Sequence, residues 1–183
     1  ALSVEQRHGG ETEITGLSLD SRQSDRALTD ILKAFGADIK CGSSVSVCKS
    51  ELFGITVDIS QCPDLFPTLA VTACAAHGDS ALSAVAARLR IKESDRIEAV
   101  EKMITSLGGF AESTPDSLTV HGTGTLAGGE VNSFNDHRIV MAAAVAACIC
   151  ESHVIIRDAQ AVNKSYPDFF EDYKKLGGKA DVI

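Results

Sequence analysis

The chain has 183 residues, 44% hydrophobic and 23% charged, which fits one folded globular domain rather than a disordered or membrane-embedded chain. A net charge of −8 argues against a nucleic-acid partner, so any anionic ligand must be met by a local cluster of cations. The longest apolar run, 139–150, covers 12 residues and is too short to cross a bilayer.

In chain order, residues 1–6 read as the tail of a helix whose start is not in the chain, and the polar residues 1–10 carry no secretory pattern. A strand is expected over 11–17, then a helix opening at Ser24-Asp25-Arg26 and stopping at Gly36. Short β segments over 37–40 and 45–48 follow, then a strand over 55–60. An Ala-rich helix over 64–77, stopped by Gly78, is apolar nearly all round and should be buried. A strand over 80–87 leads into a run of charges. Six cysteines, at 41, 48, 62, 74, 148 and 150, show neither a CxxC pair nor zinc spacing, so a reduced cytoplasmic protein without a metal centre is expected.

That run holds Arg88, Arg90, Lys92, Glu93, Asp95 and Arg96. It precedes an amphipathic helix marked by Ile97, Val100, Met103, Ile104 and Leu107, with Ser94 as the expected N-cap, Glu98 and Lys102 as an i,i+4 pair, and Gly108-Gly109 as the stop. Cations at a strand-to-helix junction, beside free helix N–H groups, suit an anionic, phosphorylated ligand. A solvated loop before a capped helix explains the run equally well by itself.

Strands over 110–113, 117–121 and 130–134 come next, then a second Ala-rich helix over 136–150, a strand over 153–158, a helix from Pro167-Asp168 to Gly177 and a β segment over 179–183. The pattern repeats. Ser24-Asp25-Arg26 and Ser94-Asp95-Arg96 open matching helices, Pro167-Asp168 opens a third, and the aspartates lie 70 and 73 residues apart. Asp64 and Asp136, which open the Ala-rich helices, are 72 apart. The expected fold is therefore α/β, a pseudo-threefold repeat of β-α-β-α-β-β units with the first unit truncated and sheets around a helical core.

Asp64 is a simple N-cap candidate. A cap accounts for Asn135 or Asp136 but leaves His137 and Arg138 unexplained, and Lys164 precedes the last helix. Threefold symmetry would bring Asp64, Lys92, Glu93, Arg96, Arg138 and Lys164 to one rim.

Arg90-Ile-Lys92-Glu93-Ser-Asp95-Arg96, Asn135-Asp136-His137-Arg138, Lys164-Ser-Tyr-Pro167-Asp168-Phe-Phe and Pro63-Asp64-Leu-Phe-Pro-Thr together resemble the 5-enolpyruvylshikimate-3-phosphate synthase family, in order and over nearly the whole chain. The resemblance is to most of the C-terminal domain of a two-domain enzyme, with the N-terminal domain absent. It implies transfer of the enolpyruvyl group of phosphoenolpyruvate to the 5-hydroxyl of shikimate 3-phosphate, with no cofactor or metal, by a cytoplasmic enzyme that is monomeric at full length. Carried over by position, Asp64 takes the 5-hydroxyl proton and Glu93 handles the methylene proton. Lys92 contacts the 5-hydroxyl, while Arg96, Arg138 and Lys164 hold the carboxylate and phosphate of phosphoenolpyruvate, with Asp136 and His137 in support. Arg88 departs from the asparagine that some members carry there.

Two readings follow. One is a catalytic portion that is inactive without its other half; the other is a binding or assembly module that kept the fold and lost the chemistry. The length of the source reading frame separates them.

Overall fold

The computed structural model describes residues 11–17, 21–84, 89–90 and 92–182. The helix tail expected at 1–6, Arg88, the last three residues of the strand expected over 80–87 and the last residue of the segment over 179–183 lie outside the described residues.

Three sheets organise the chain. In the first, β1 (Glu11–Ile14), β2 (Ile39–Cys41) and β3 (Val45–Cys48) are antiparallel, with β3 central. The second comprises β4 (Thr56–Asp58), β5 (His77–Ser83), β6 (Phe110–Ser113) and β7 (Ser117–Thr123) in the order β4-β5-β7-β6. Here β4 and β5 are parallel and the other pairs antiparallel. In the third, β8 (Gly129–Asn132) runs parallel to β9 (Val154–Arg157). The order β5-β7-β6 repeats β1-β3-β2, and the β8/β9 pair repeats β4/β5.

Parallel neighbours need a crossover, and here each crossover contains a helix. Helix α2 (Phe66–Ala75) links β4 to β5, and α4 (His137–Ala146) links β8 to β9. Both bury side chains around most of their circumference, as their Ala-rich sequences predict. Phe66, Leu69, Ala70, Val71, Ala73 and Cys74 are buried on α2, and Ile139, Val140, Ala142, Ala143 and Ala146 on α4. Proline suits the start of α2, where the first turn needs no backbone donor.

Helix α3 (Arg96–Ser106) packs between the second and third sheets and touches α2 and α4. Its buried stripe is Ile97, Val100, Met103 and Ile104, each contributing about 1.5–3 kcal/mol by burial. Its exposed face carries the Lys102–Glu98 ion pair. Gly108, at φ +82°, ends the turn in the left-handed region, and the Gly109 N–H donates to the Ile104 carbonyl at 2.9 Å. Helices α1 (Ala27–Ala34) and α5 (Phe169–Lys175) lie nearer solvent, burying only Ile31 on α1 and no residue on α5.

Four local expectations are corrected. The N-cap of α3 is Asp95, not Ser94: Asp95 is extended and its Oδ1 accepts the Glu98 N–H at 3.3 Å, because Ser94 is drawn elsewhere. The helix opening at Ser24 begins as a 3₁₀ turn, Ser24–Arg26, since no side chain caps it. Strand β5 starts at His77, where the helix was expected to continue, because Ala76 is already extended. Gly122 of β7 lies so close there that a Cβ would sit 2.3 Å from the Ala73 and Ala76 carbonyl oxygens. No strand occupies 179–182, where the chain has no strand partner among the described residues. Among the described residues no helix is long and apolar enough to cross a membrane.

Candidate active site

The first turn of α3 places Arg96 inside the protein, with 1% of its side chain exposed. An isolated guanidinium there would be untenable, and three carboxylates share its donors. Nε donates to Asp136 Oδ2 at 2.9 Å, Nη1 to Asp64 Oδ1 at 2.7 Å and Nη2 to Glu93 Oε2 at 2.7 Å. Each carboxylate comes from a different segment: the head of α4, the turn before α2, and the residues before α3.

Asp64 sits in the 3₁₀ turn Pro63–Leu65, and its side chain caps nothing. The simple-cap explanation available from sequence therefore fails. Its carboxylate instead bridges two arginines, because Oδ2 accepts from Arg138 Nη2 at 2.9 Å while Oδ1 holds Arg96. Arg138 Nη1 also donates to the Asp64 carbonyl at 3.3 Å, and Lys92 Nζ lies 3.4 Å from Oδ1. A third of Asp64 and a similar fraction of Lys92 reach solvent.

Asp136 is the N-cap of α4, accepting the Arg138 N–H at 2.9 Å through Oδ1, and it is fully buried. The Ser94 hydroxyl donates to its Oδ2 at 3.0 Å. Sequence reasoning assigned Ser94 to a cap and missed this contact. Its only signal was a hydroxyl two residues before Arg96. His137 Nδ1, 3.9 Å from Asp136 Oδ1, is buried without a hydrogen-bond partner among the described residues.

The turn leading into α4 is strained. Phe134 and Asn135 have φ of +52° and +56°, a region that side chains other than glycine rarely occupy. Local bonds hold them: the Phe134 N–H donates to Asn132 Oδ1 and the Asn135 N–H to Ser133 Oγ. Lys164 does not join the carboxylate cluster. Its Nζ donates to the Asn135 carbonyl at 2.6 Å, which places it beside the same turn.

The charges decide the protonation states. Burial pushes Asp64 up, but the Arg96 hydrogen bond and the charges of Arg138 and Lys92 outweigh it and hold the acid below its ordinary range. Burial likewise opposes ionisation of Asp136, and the Arg96 and Arg138 N–H bonds reverse it. Burial, the largest single influence, lowers the Arg96 pKa, and the hydrogen bonds and charges of Asp136, Asp64 and Glu93 together outweigh it and raise it. The cluster is thus ionised throughout its interior, and its half-open edge is formed by Asp64, Lys92, Glu93 and Arg138. A separate groove of about 510 Å³, lined by Glu98, Glu101, Lys102, Ser106, Asn132 and Phe134, contains none of these residues. Its one cation, Lys102, stands beside Glu98 and Glu101, so the anion chemistry lies with the arginine cluster.

Residues 7–173 match the family described as EPSP synthase (3-phosphoshikimate 1-carboxyvinyltransferase). The chain belongs to the EPSP synthase family. A 3-phosphoshikimate 1-carboxyvinyltransferase of Clostridium novyi is 45% identical over 94% of this chain, and one of Pyrococcus abyssi 43% identical over 91%. The chain spans about 40% of the length of each of these relatives. Two solved structures of EPSP synthase from Acinetobacter baumannii share the α/β fold, with TM-scores of 0.82 and 0.83 at 26% and 24% identity. They match 95% and 100% of this chain, and it covers 44% and 45% of theirs. Three of the four motifs quoted from the sequence, those that hold Asp64, Glu93 and Asp136, meet around Arg96, and the fourth places Lys164 beside the turn before α4.

Proposed function

We propose that this chain forms one wall of an enolpyruvyl transferase site, the C-terminal wall of the resemblance, and that the remaining length of its relatives supplies the other. The reaction joins the 5-hydroxyl of shikimate 3-phosphate to C2 of phosphoenolpyruvate and releases phosphate through a tetrahedral intermediate. The observation that supports this best is the meeting of Asp64, Glu93, Arg96 and Arg138 from three separate segments around one buried guanidinium. Nothing in a capped helix requires that convergence.

In the proposed roles, Asp64 accepts the 5-hydroxyl proton and Glu93 delivers the proton to the methylene carbon, later removing it. Two carboxylates can divide these tasks because their surroundings differ: among the described residues Asp64 bridges two arginines, while Glu93 meets one. Lys92 reaches the 5-hydroxyl. Arg96, Arg138 and Lys164 hold the carboxylate and phosphate of phosphoenolpyruvate, where guanidinium forks match a planar anion. Asp136 and His137 support them from behind. The fold beneath is a pseudo-threefold repeat of one β-α-β-α-β-β unit, the first copy incomplete in this chain, in keeping with the repeated sheet orders.

The test is phosphate release in the presence of both substrates, by the chain alone and with the unmatched portion of a relative added. Activity only in the mixture, lost on Asp64→Ala, is the expected result. Turnover by the chain alone would overturn the divided site, and a mixture that binds both substrates without turnover would favour a module without chemistry.

A further inference from the structure

Arg96 is the most enclosed cation of the cluster, and its three partners are not equivalent. Asp136 is fully buried and is held as the cap of α4, so it is the partner of Arg96 least open to replacement by a ligand. Asp64 and Glu93, on Nη1 and Nη2, are 33% and 39% exposed. A ligand can therefore reach Arg96 only by taking the place of one of these two. Asp64 is the better match for an entering carboxylate. Its two oxygens bridge Arg96 and Arg138, with Lys92 beside them, as a bound planar anion would. The cluster also balances without a ligand: Lys92, Arg96 and Arg138 face Asp64, Glu93 and Asp136. An added anion leaves an excess of negative charge among these groups, which departure of the Asp64 carboxylate from the two arginines relieves.

We propose that the Asp64 carboxylate occupies the place of the ligand's own carboxylate, and that phosphoenolpyruvate enters by displacing it from Arg96 and Arg138. The naming of that ligand rests on the function proposed above; the exchange itself rests on the geometry. The step makes and breaks ion pairs only. Before it, Asp64 is a poor base, since the two arginines hold it ionised and occupied. After it, the carboxylate has lost two cations and is free to accept a proton. Entry of phosphoenolpyruvate thus frees the base that acts on the hydroxyl of the other substrate.

Exchange makes Asp64 a competitor of the ligand, so removing its charge must tighten anion binding. Calorimetric titration of the full chain with phosphoenolpyruvate and with pyruvate, which has the carboxylate and no phosphate, reads this directly. Asp64→Asn and Asp64→Ala should each bind phosphoenolpyruvate roughly fivefold tighter or better, the low end of coupling between linked sites. Glu93→Gln should gain less, because among the described residues Glu93 pairs with Arg96 and not with Arg138, and Arg138→Met should cancel the gain of Asp64→Asn. Equal or weaker binding by both Asp64 variants, equal gains from Asp64→Asn and Glu93→Gln, or binding by no variant overturns the exchange. A gain for pyruvate with no preference for phosphoenolpyruvate would sustain the exchange and remove the proposed substrate. A preference for phosphoenolpyruvate with no gain would do the reverse.

Discussion

Arg96 Nε and Asp136 Oδ2 lie 2.9 Å apart, and the two side chains are 1% and 0% exposed. This pair joins the head of α3 to the head of α4, so the two helix starts cannot shift independently. The bonds from Arg96 to Asp64 and Glu93 extend from the same guanidinium.

Asp136→Ala should therefore cost about 3–5 kcal/mol, the range for stranding one member of a buried ion pair, with the lost α4 cap adding to it. Urea denaturation measures it. A loss under about 1 kcal/mol would place the pair among ordinary surface bridges.

The same pair sets an acid limit. Asp136 and Asp64 both titrate below their ordinary range in the folded protein. A depressed folded-state pKa contributes stability above the unfolded value, about 3.9 for aspartate, and that contribution disappears as pH falls through the folded value. The urea midpoint should hold steady near pH 6 and drop below about pH 4. Asp136→Asn should start lower and show a shallower drop; an unchanged slope would assign the acid sensitivity to other carboxylates.

Glu93→Gln, in the chain combined with the unmatched portion of a relative, should leave substrate binding nearly intact and slow turnover by about 10²-fold or more. Its Nη2 contact can be kept by the amide oxygen, so the variant tests proton transfer rather than packing. Steady-state kinetics at the unmodified rate would remove Glu93 from the chemistry.

Much of this arrangement was legible in the residues. The period of the aspartates at 25, 95 and 168, the Ala-rich runs and the glycine stops marked the helices, because caps, periodicity and left-handed glycine are local properties. The charged residues before α3 and at the head of α4 announced a cluster. What could not be read was how the charges pair. The sequence is equally compatible with Arg96 pointing outward from the first turn of α3. Only the packing of α3 against α2 and α4 turns it inward and makes Asp136 its fixed partner. Ser94 was misassigned for the same reason: Ser94 and Asp95 can both cap, and a contact with Asp136, 42 residues away, decides between them. The early start of β5 depends on Gly122, which is far along the chain and close only after folding.

The most direct measurement is the position of phosphoenolpyruvate on the chain itself. Titrating it into ¹⁵N-labelled protein should shift the side-chain Nε–H resonances of Arg96 and Arg138 and the backbone N–H of Arg138. Signals from Glu98, Glu101 and Phe134, which line the separate groove, should stay in place. Shifts confined to that groove, with the two arginines unmoved at saturation, would contradict a ligand site built around Arg96.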